Sequence, residues 1–433
     1  MTKNILIISY SYPPNNVAGA QRPYAIAKYL DKTKFNIIVL TCENPYTPVG
    51  INKSFDPTLE NVKIINIKSK VGSSNEVVKQ NNNQPTKPTL KSIIKSSLYK
   101  FGQLFIFPDK AMFWYPNVKK FLKQNPTISS DAAIVFSTSP GITNHQIAKF
   151  IQKQNPSIQW IADFRDFNYV EFWQSKKNAK SFLHKLLETR IVKKASNITF
   201  VTNTMLKAYQ NYYPSAKEKM HCIYNGYDNI ESVATTQSMS NEKLIFFYGG
   251  SFYNGLRSPY PLIELLERAI EEKIISKEQI EIQIAGNIEE EIISELNRYK
   301  VSESIQYLGN IPRLEVFEHM KNATFLWLIV ANLKAHYQTV PIKLFEYISV
   351  KRPILNFAPD ISESSELINR MNAGYNFNTF DFSMDSSYPF MKEILIKFNL
   401  GDYINPIHSN GSEIFSWNNQ ISLLEKLFES NEK

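Results

Sequence analysis

Cysteine is almost absent from this chain. Its 433 residues hold two, Cys42 and Cys222, too few for a disulfide framework and suited to a reducing compartment. Glycine is also scarce, at 14, so each loop glycine is informative about the backbone. No run nears the roughly eighteen apolar residues that cross a bilayer. The longest, Phe325 to Val330, has the length of a buried strand. The N-terminal run from Ile5 to Ile8, followed by Ser-Tyr-Ser-Tyr-Pro-Pro, is too short for a signal-peptide core. A cytoplasmic protein is expected, with peripheral attachment to the inner face of the cell membrane as an option. Asp-x-Asp does not occur and no Cys/His spacing suits zinc, so no metal and no cofactor is expected. Phosphate-loop, dinucleotide and Gly-x-Ser-x-Gly patterns are missing as well.

What is present is ordinary globular material, 43% apolar and 21% charged, with room for two large α/β domains at about 150 or more residues each. The net charge of +9 is concentrated. Lys87 to Lys123 holds eight lysines and one acid, Asp109; Gln174 to Lys194 holds seven basic residues and one acid, Glu188. Outside those stretches the balance is −4. Localised basicity points to an anionic surface, either a membrane face or nucleic acid. Lys87 to Lys123 also interleaves Tyr99, Phe101, Phe105, Phe107, Phe113, Trp114, Tyr115 and Phe121. That pattern suits a membrane interface or a helical insert packed on its domain. No nucleic-acid motif accompanies it, so nucleic acid is not expected as a partner.

Buried strands alternate with helices along the chain. Strands are expected at 4–9, 35–41, 62–67, 132–137, 160–164 and 197–201, with helices at 21–30, 90–107, 144–154 and 182–195. A polar stretch, 232–241, reads as a linker. The alternation then restarts with strands at 243–248, 280–285, 305–308, 324–330 and 354–358. The helices there are expected at 261–272, 289–300, 314–322, 341–350 and 420–429. The fold class is α/β, with two doubly wound parallel sheets whose ligands sit at the carboxyl ends of strands.

The strongest local signal is Tyr337-Gln338-Thr339-Val340-Pro341-Ile342-Lys343-Leu344-Phe345-Glu346-Tyr347. It joins a buried strand to a helix opened by Pro341. Lys343 and Glu346 are three apart and share one helical face. A helix start favours a phosphate, Lys343 can add a point charge, and Glu346 can accept both hydroxyls of a ribose. A solvated Lys/Glu pair is the plainer alternative. Gly249-Gly250 after a strand lets backbone approach a phosphate, or makes a tight turn; Arg257 follows and can pair with a diphosphate. Asp163, Arg165 and Asp166 end a strand, as an ion-pair cluster or an acceptor-side site. His145 opens a helix after Pro140-Gly141, where it is a structural histidine or a sugar contact.

The segment from Tyr337 to Tyr347 resembles the donor-binding motif of retaining GT-B glycosyltransferases of family 4, in the branch with Tyr-x-x-x-Pro-x-Lys-x-Phe-Glu-Tyr that builds surface polysaccharides. Glu346 matches the second glutamate of its Glu-x7-Glu pair; Gln338 stands at the first. Ile5 to Arg22, with Gly19-Ala20-Gln21-Arg22, is similar to the family's first strand and glycine loop. Ser137 to Ala148, Trp160 to Asp166 and Lys243 to Arg257, which contains Tyr248-Gly249-Gly250-Ser251, are similar to further motifs of that branch. Gly309 to Pro312, including Ile311, resembles the nucleobase contact.

The resemblance implies a GT-B architecture, two Rossmann-like domains facing a cleft. Residues 1–230, carrying the insert 87–123 and completed by a C-terminal helix within 412–433, would form the acceptor side. Residues 240–411 would bind the donor. It implies metal-independent sugar transfer from a nucleotide sugar, a UDP- or GDP-sugar, to a glycan or lipid-linked glycan, with retention of configuration, as in capsule, O-antigen or lipopolysaccharide synthesis. His145, Arg165, Asp166, Arg257 and Lys343 would serve the reaction. Gly19, Arg22, Gly249, Gly250, Ser251, Gly309, Ile311, Tyr337, Gln338, Thr339, Val340, Lys343 and Glu346 would hold the donor. A non-hydrolysing sugar-nucleotide epimerase and a non-catalytic relative that binds glycan or partners are the alternatives.

Overall fold

The computed structural model describes residues 2–15, 17–45, 57–71, 106–166, 179–228, 243–400 and 411–429. The polar loop expected from Gly72, most of the helix expected at 90–107, the linker at 232–241 and Lys87 to Lys100 lie outside them. The chain forms two compact units. One runs to Tyr224 and resumes at Gln420; the other is Asn225–Asn419.

The first unit is built on seven parallel strands: β1 (Lys3–Ser9), β2 (Phe35–Cys42), β3 (Val62–Ile67), β4 (Ile134–Thr138), β5 (Gln159–Phe164), β6 (Asn197–Phe200) and β7 (Met220–Cys222). Their order is β3-β2-β1-β4-β5-β6-β7. The chain starts in the middle and winds outward both ways, so the direction reverses between β1 and β4. Helices α1 (Ala18–Tyr29), α2 (Tyr115–Gln124), α3 (Ile142–Gln154), α4 (Ala179–Lys194) and α5 (Asn203–Tyr212) cover the sheet. Every residue of β4, β5 and β6 is buried, as a strand covered on both faces requires.

Trp114 and Trp160 are fully buried in this core. Each indole N–H is satisfied, by the Ile67 carbonyl (2.9 Å) and by Ser137 Oγ (2.8 Å) respectively. Two more bonds pin the same corner: Lys70 N donates to Phe113 O at 3.2 Å, and Asn117 Nδ2 to Lys68 O at 2.8 Å.

The second unit has six parallel strands: β8 (Leu244–Gly249), β9 (Ile280–Ala285), β10 (Ile305–Gly309), β11 (Phe325–Ile329), β12 (Ile354–Ala358) and β13 (Gly374–Asn378). Their order, β10-β9-β8-β11-β12-β13, reverses between β8 and β11. The helices are α6 (Tyr260–Glu271), α7 (Glu290–Leu296), α8 (Arg313–Asn322), α9 (Ile342–Val350), α10 (Glu363–Met371) and α11 (Met384–Asn399). The last helix, α12 (Trp417–Glu429), belongs to the first unit from Gln420 onward. There Phe428 meets Phe35 and Phe136 edge-on, at 5.8 and 6.5 Å. The boundary falls at Tyr224–Asn225, ahead of the expected 230. Tyr227 explains this: its N–H and carbonyl bond Phe415 and Trp417, both at 3.0 Å.

Six of these elements escaped the sequence reading: α2, α5, β7, β13, α10 and α11. β13 opens on Gly374, whose φ is +159° and where a Cβ would collide with the Ile354 carbonyl. The helix expected at 289–300 stops at Leu296. Among the described residues no helix is long and apolar enough to cross a membrane.

Candidate functional site

The residues singled out from sequence gather at the two points where strand order reverses, the usual seat of ligands in open α/β sheets. In the second unit the site is assembled around the carboxyl end of β8. Gly249 N–H donates to the Tyr347 hydroxyl at 3.2 Å, and that hydroxyl donates to the Trp327 carbonyl at 3.3 Å. Tyr347 thereby ties α9 to the end of β8 and the middle of β11. Gly250 N–H donates to Ala285 O at 2.7 Å, and Gly286 N–H to Gly309 O at 2.8 Å. Both glycines have positive φ, +150° and +133°. A Cβ on Gly286 would collide with the Gly250 carbonyl, and one on Gly250 with Lys343 Nζ. Bare backbone from three consecutive loops is thus stacked against one lysine. Ser251 completes the first loop, its carbonyl accepting from Tyr248 Oη at 2.9 Å.

Lys343 is the second residue of α9, which follows an extended Pro341. Its Nζ is buried, lies 4.5 Å from the centre of the Tyr248 ring, and meets no hydrogen-bond partner among the described residues. Burial, then the nearby Arg257 charge, push its pKa down to about 7; Glu346 pulls the other way. Arg257 stacks over Tyr253 at 4.6 Å. One turn beyond Lys343, the Glu346 carboxylate accepts from Arg313 Nη2 at 2.9 Å, and Arg313 also faces Asp228 at 3.6 Å. Burial raises the Glu346 pKa, while Arg313 and Lys343 oppose the rise. Tyr337 donates to Asn332 at 2.6 Å and Val340 is buried. Gln338 and Thr339 occupy the turn between them, with Thr339 Oγ1 on the His336 carbonyl at 3.3 Å. Gly309 (φ +63°) and half-buried Ile311 lead into α8.

The first unit's residues divide into core and rim. Arg22 and His145, both expected at a ligand, are core residues. Arg22 is 1% exposed and bonds Asp163 through Nε (3.0 Å) and Nη2 (2.8 Å), and the Tyr224 carbonyl through Nη1 (2.9 Å). Asp163 also accepts from Thr138 and Thr199, each at 2.7 Å. Burial raises its pKa, yet Arg22 and these hydrogen bonds outweigh that and hold the carboxyl below its ordinary value.

His145 is fully buried, stacked on Phe164 at 4.9 Å, with Nδ1 2.8 Å from Ser137 Oγ. Burial pushes its pKa down to about 4, so it is neutral near pH 7. The helix start it was expected to share with a ligand already holds a carboxylate. Asp109 Oδ2 accepts from Thr143 N at 2.9 Å, and Oδ1 from Ala111 N at 2.9 Å.

Nearer the rim, Arg165, itself buried, donates to the Gly19 carbonyl at 2.6 Å, and Asp166 beside it is exposed. Gly19 is the second residue of α1 rather than part of a loop, because the helix begins at Ala18 after an extended Val17. A Cβ there would lie 3.3 Å from Arg165 Nη2 and 3.4 Å from Pro140.

The sequence reading missed Arg313, Gly286 and Asp109. Gly286 repeats, after β9, the strand-then-glycine signal read after β8. Arg313 and Asp109 left no local signal, since each acts on a residue more than thirty positions away. Among the described residues no group of three or more His, Cys, Asp or Glu stands close enough to hold a metal ion.

The chain matches no family model and no curated protein. Solved structures are similar over nearly its whole length. Sucrose-phosphate synthase from Thermosynechococcus elongatus superposes with a TM-score of 0.63 at 12% identity, covering 99% of this chain and 98% of that one. WaaG, a glycosyltransferase involved in lipopolysaccharide biosynthesis, gives 0.62 at 13%, covering 99% and 100%. The lipopolysaccharide outer core galactosyltransferase WaaB gives 0.59 at 13%, covering 99% of each chain. The fold is GT-B. At these identities the likeness is one of fold, and the GT-B frame accounts for both order reversals without specifying a substrate.

Proposed function

We propose that this chain is a glycosyltransferase that moves a sugar from a nucleotide sugar, UDP- or GDP-linked, to a glycan or lipid-linked glycan acceptor. The observation that carries the reading is the buried Lys343 ammonium beside Arg257 and stacked glycine backbone. A buried, unpaired cation is costly and calls for an anion. The start of α9 adds N–H dipoles of the matching sign, and the diphosphate of a nucleotide sugar has the matching charge. Glu346, held by Arg313, is the acceptor for ribose hydroxyls. Gly309 and Ile311 border the base, and the turn from Tyr337 to Val340 borders the sugar. The glycosyltransferases of the same fold named above support the transferase class.

The proposed chemistry is metal-independent and retains configuration. The acceptor hydroxyl attacks the anomeric carbon from the face the diphosphate leaves. The new C–O bond forms as the old one breaks, and the hydroxyl proton passes to the departing phosphate oxygen. Lys343 and Arg257 stabilise the charge that grows there. Arg165 and Asp166 border the acceptor, while Arg22 and His145 set the rim's position from the core. The acceptors proposed are those of surface polysaccharide or lipopolysaccharide assembly, met by a cytoplasmic protein at the membrane's inner face.

The test is calorimetric titration of UDP, GDP, CDP, ADP and dTDP in EDTA, followed by turnover with the sugars of whichever nucleotide binds. One nucleotide bound in the micromolar range, with transfer in EDTA, is expected. Conversion of the nucleotide sugar without acceptor would favour an epimerase. Absence of binding by all five would favour a non-catalytic relative.

A further inference from the structure

We propose that the solvent-facing side of α4 is a docking surface for a bilayer containing anionic lipid. The inward side of α4 buries Ser181, His184, Glu188, Ile191 and Val192. Its outward side is not that of an ordinary surface helix. Phe182 is 60% exposed, Leu183 45% and Leu186 36%. Arg190, Lys193 and Lys194 follow, all exposed. At about 100° per residue these six side chains fall within an arc of roughly 120°. One stripe thus carries three apolar groups and, one to two turns on, three cations.

Nothing on the helix neutralises them. Glu188, its one described acid, is buried and accepts from Tyr209 (3.0 Å) and Tyr213 (2.9 Å). The neighbouring helix α3 adds to the excess. The Lys149 ammonium is held below its ordinary pKa by burial and then by Arg190, Lys153 and Lys194, so these cations stand close enough to repel one another. None of the four is in an ion pair among the described residues. The described part of the basic aromatic stretch adjoins α3, with Lys119 Nζ 5.2 Å from the Phe150 ring.

Charge complementarity selects an anionic partner, and the apolar half selects among anionic partners. Nucleic acid rewards aromatic platforms between cations, and two leucines stack on nothing. A bilayer takes both halves at once. Phe182, Leu183 and Leu186 enter the acyl boundary, while Arg190, Lys193 and Lys194 stay at the headgroups. The surface lies within the first unit, and the inference does not depend on the reaction assigned to the second.

The full chain is sedimented with phosphatidylcholine vesicles, with and without phosphatidylglycerol, at low and high salt. Binding to the anionic vesicles alone is expected. Each basic residue at such a surface strengthens partitioning about fivefold. The triple variant Arg190→Glu/Lys193→Glu/Lys194→Glu is therefore expected to lose about a hundredfold or more. Phe182→Ser/Leu183→Ser/Leu186→Ser is expected to keep low-salt binding and lose what survives high salt. Circular dichroism melting checks that both variants stay folded. Wild-type partitioning by both variants would overturn the proposal; so would equal binding to neutral and anionic vesicles. Loss of binding only on charge reversal at Lys95, Lys100 and Lys119 would place docking in the insert instead. A single-stranded oligonucleotide bound more tightly than the vesicles would make the surface a nucleic-acid site.

Discussion

If Lys343 is the anion receptor of the second unit, its protonation must be linked to binding. A solvated lysine ammonium loses its proton near 10.5, whereas burial and the Arg257 charge bring Lys343 to about 7. A diphosphate seated against Nζ favours the charged form and raises that pKa again. In the empty site the protonated fraction falls from about one half at pH 7 to about one hundredth at pH 9. The diphosphate of a nucleotide sugar has no proton to lose in that range, so the association constant should fall about fiftyfold between the two. Binding at pH 8.5 should take up close to one proton, read as a dependence of calorimetric heat on buffer ionisation enthalpy.

Stability carries the same signature with the opposite sign. Below pH 7 the ammonium is charged both folded and unfolded, and its full desolvation cost, on the order of 5 kcal/mol, is present. The cost fades as pH rises from 7 toward 10.5. Lys343→Met should therefore stabilise the protein most at low pH, bind nucleotide weakly, and show no pH slope between 7 and 9. A flat affinity across that range in the wild type, with no proton taken up, would refute the assignment of Lys343.

Glu346→Gln should raise the dissociation constant about tenfold, by removing a charge-assisted acceptor for ribose worth about 1.5 kcal/mol. Arg313→Gln, titrated by the same calorimetry, should fall between wild type and Glu346→Gln. Gly250→Ala should cost about 1–3 kcal/mol of stability from its positive φ and weaken nucleotide binding, since its Cβ displaces the flexible end of Lys343 from its seat; urea unfolding and titration measure the two. Arg22→Met, which leaves Asp163 charged and buried, should cost about 3–5 kcal/mol in urea unfolding. In the wild type this pair's contribution is expected to persist above the unfolded aspartate pKa and vanish as pH falls through the lower folded value.

Much of the frame is legible in the residues themselves. β9 and β12 span the residues expected of them: Ile280 to Ala285 alternates apolar with polar residues, and Ile354 to Ala358 is an apolar run broken only by Asn356. β13 hides because it mixes glycine and asparagine with aromatics, and its place depends on Gly374 passing against Ile354. The site follows the same division. Lys343 and Glu346 are readable together because one helical turn joins them. Arg313 reaches Glu346 across 33 positions, and Arg22 reaches Asp163 across 141. Only the folded sheet brings such partners together, and in the second case it converts an expected ligand contact into a core ion pair.

The corner pinned by Trp114, Lys70 and Asn117 has an evolutionary reading. It fastens the chain just before Gly72 to the chain just after Phe107, so β3 and the start of α2 are tied to each other directly. Closing a loop costs only about 0.6 kcal/mol more for each doubling of its length. A replacement segment of different length or composition can therefore be carried between Val71 and Ile106 at small energetic cost. In those terms, doubling the length of the chain carried by this corner is expected to change the first unit's stability by less than about 1 kcal/mol.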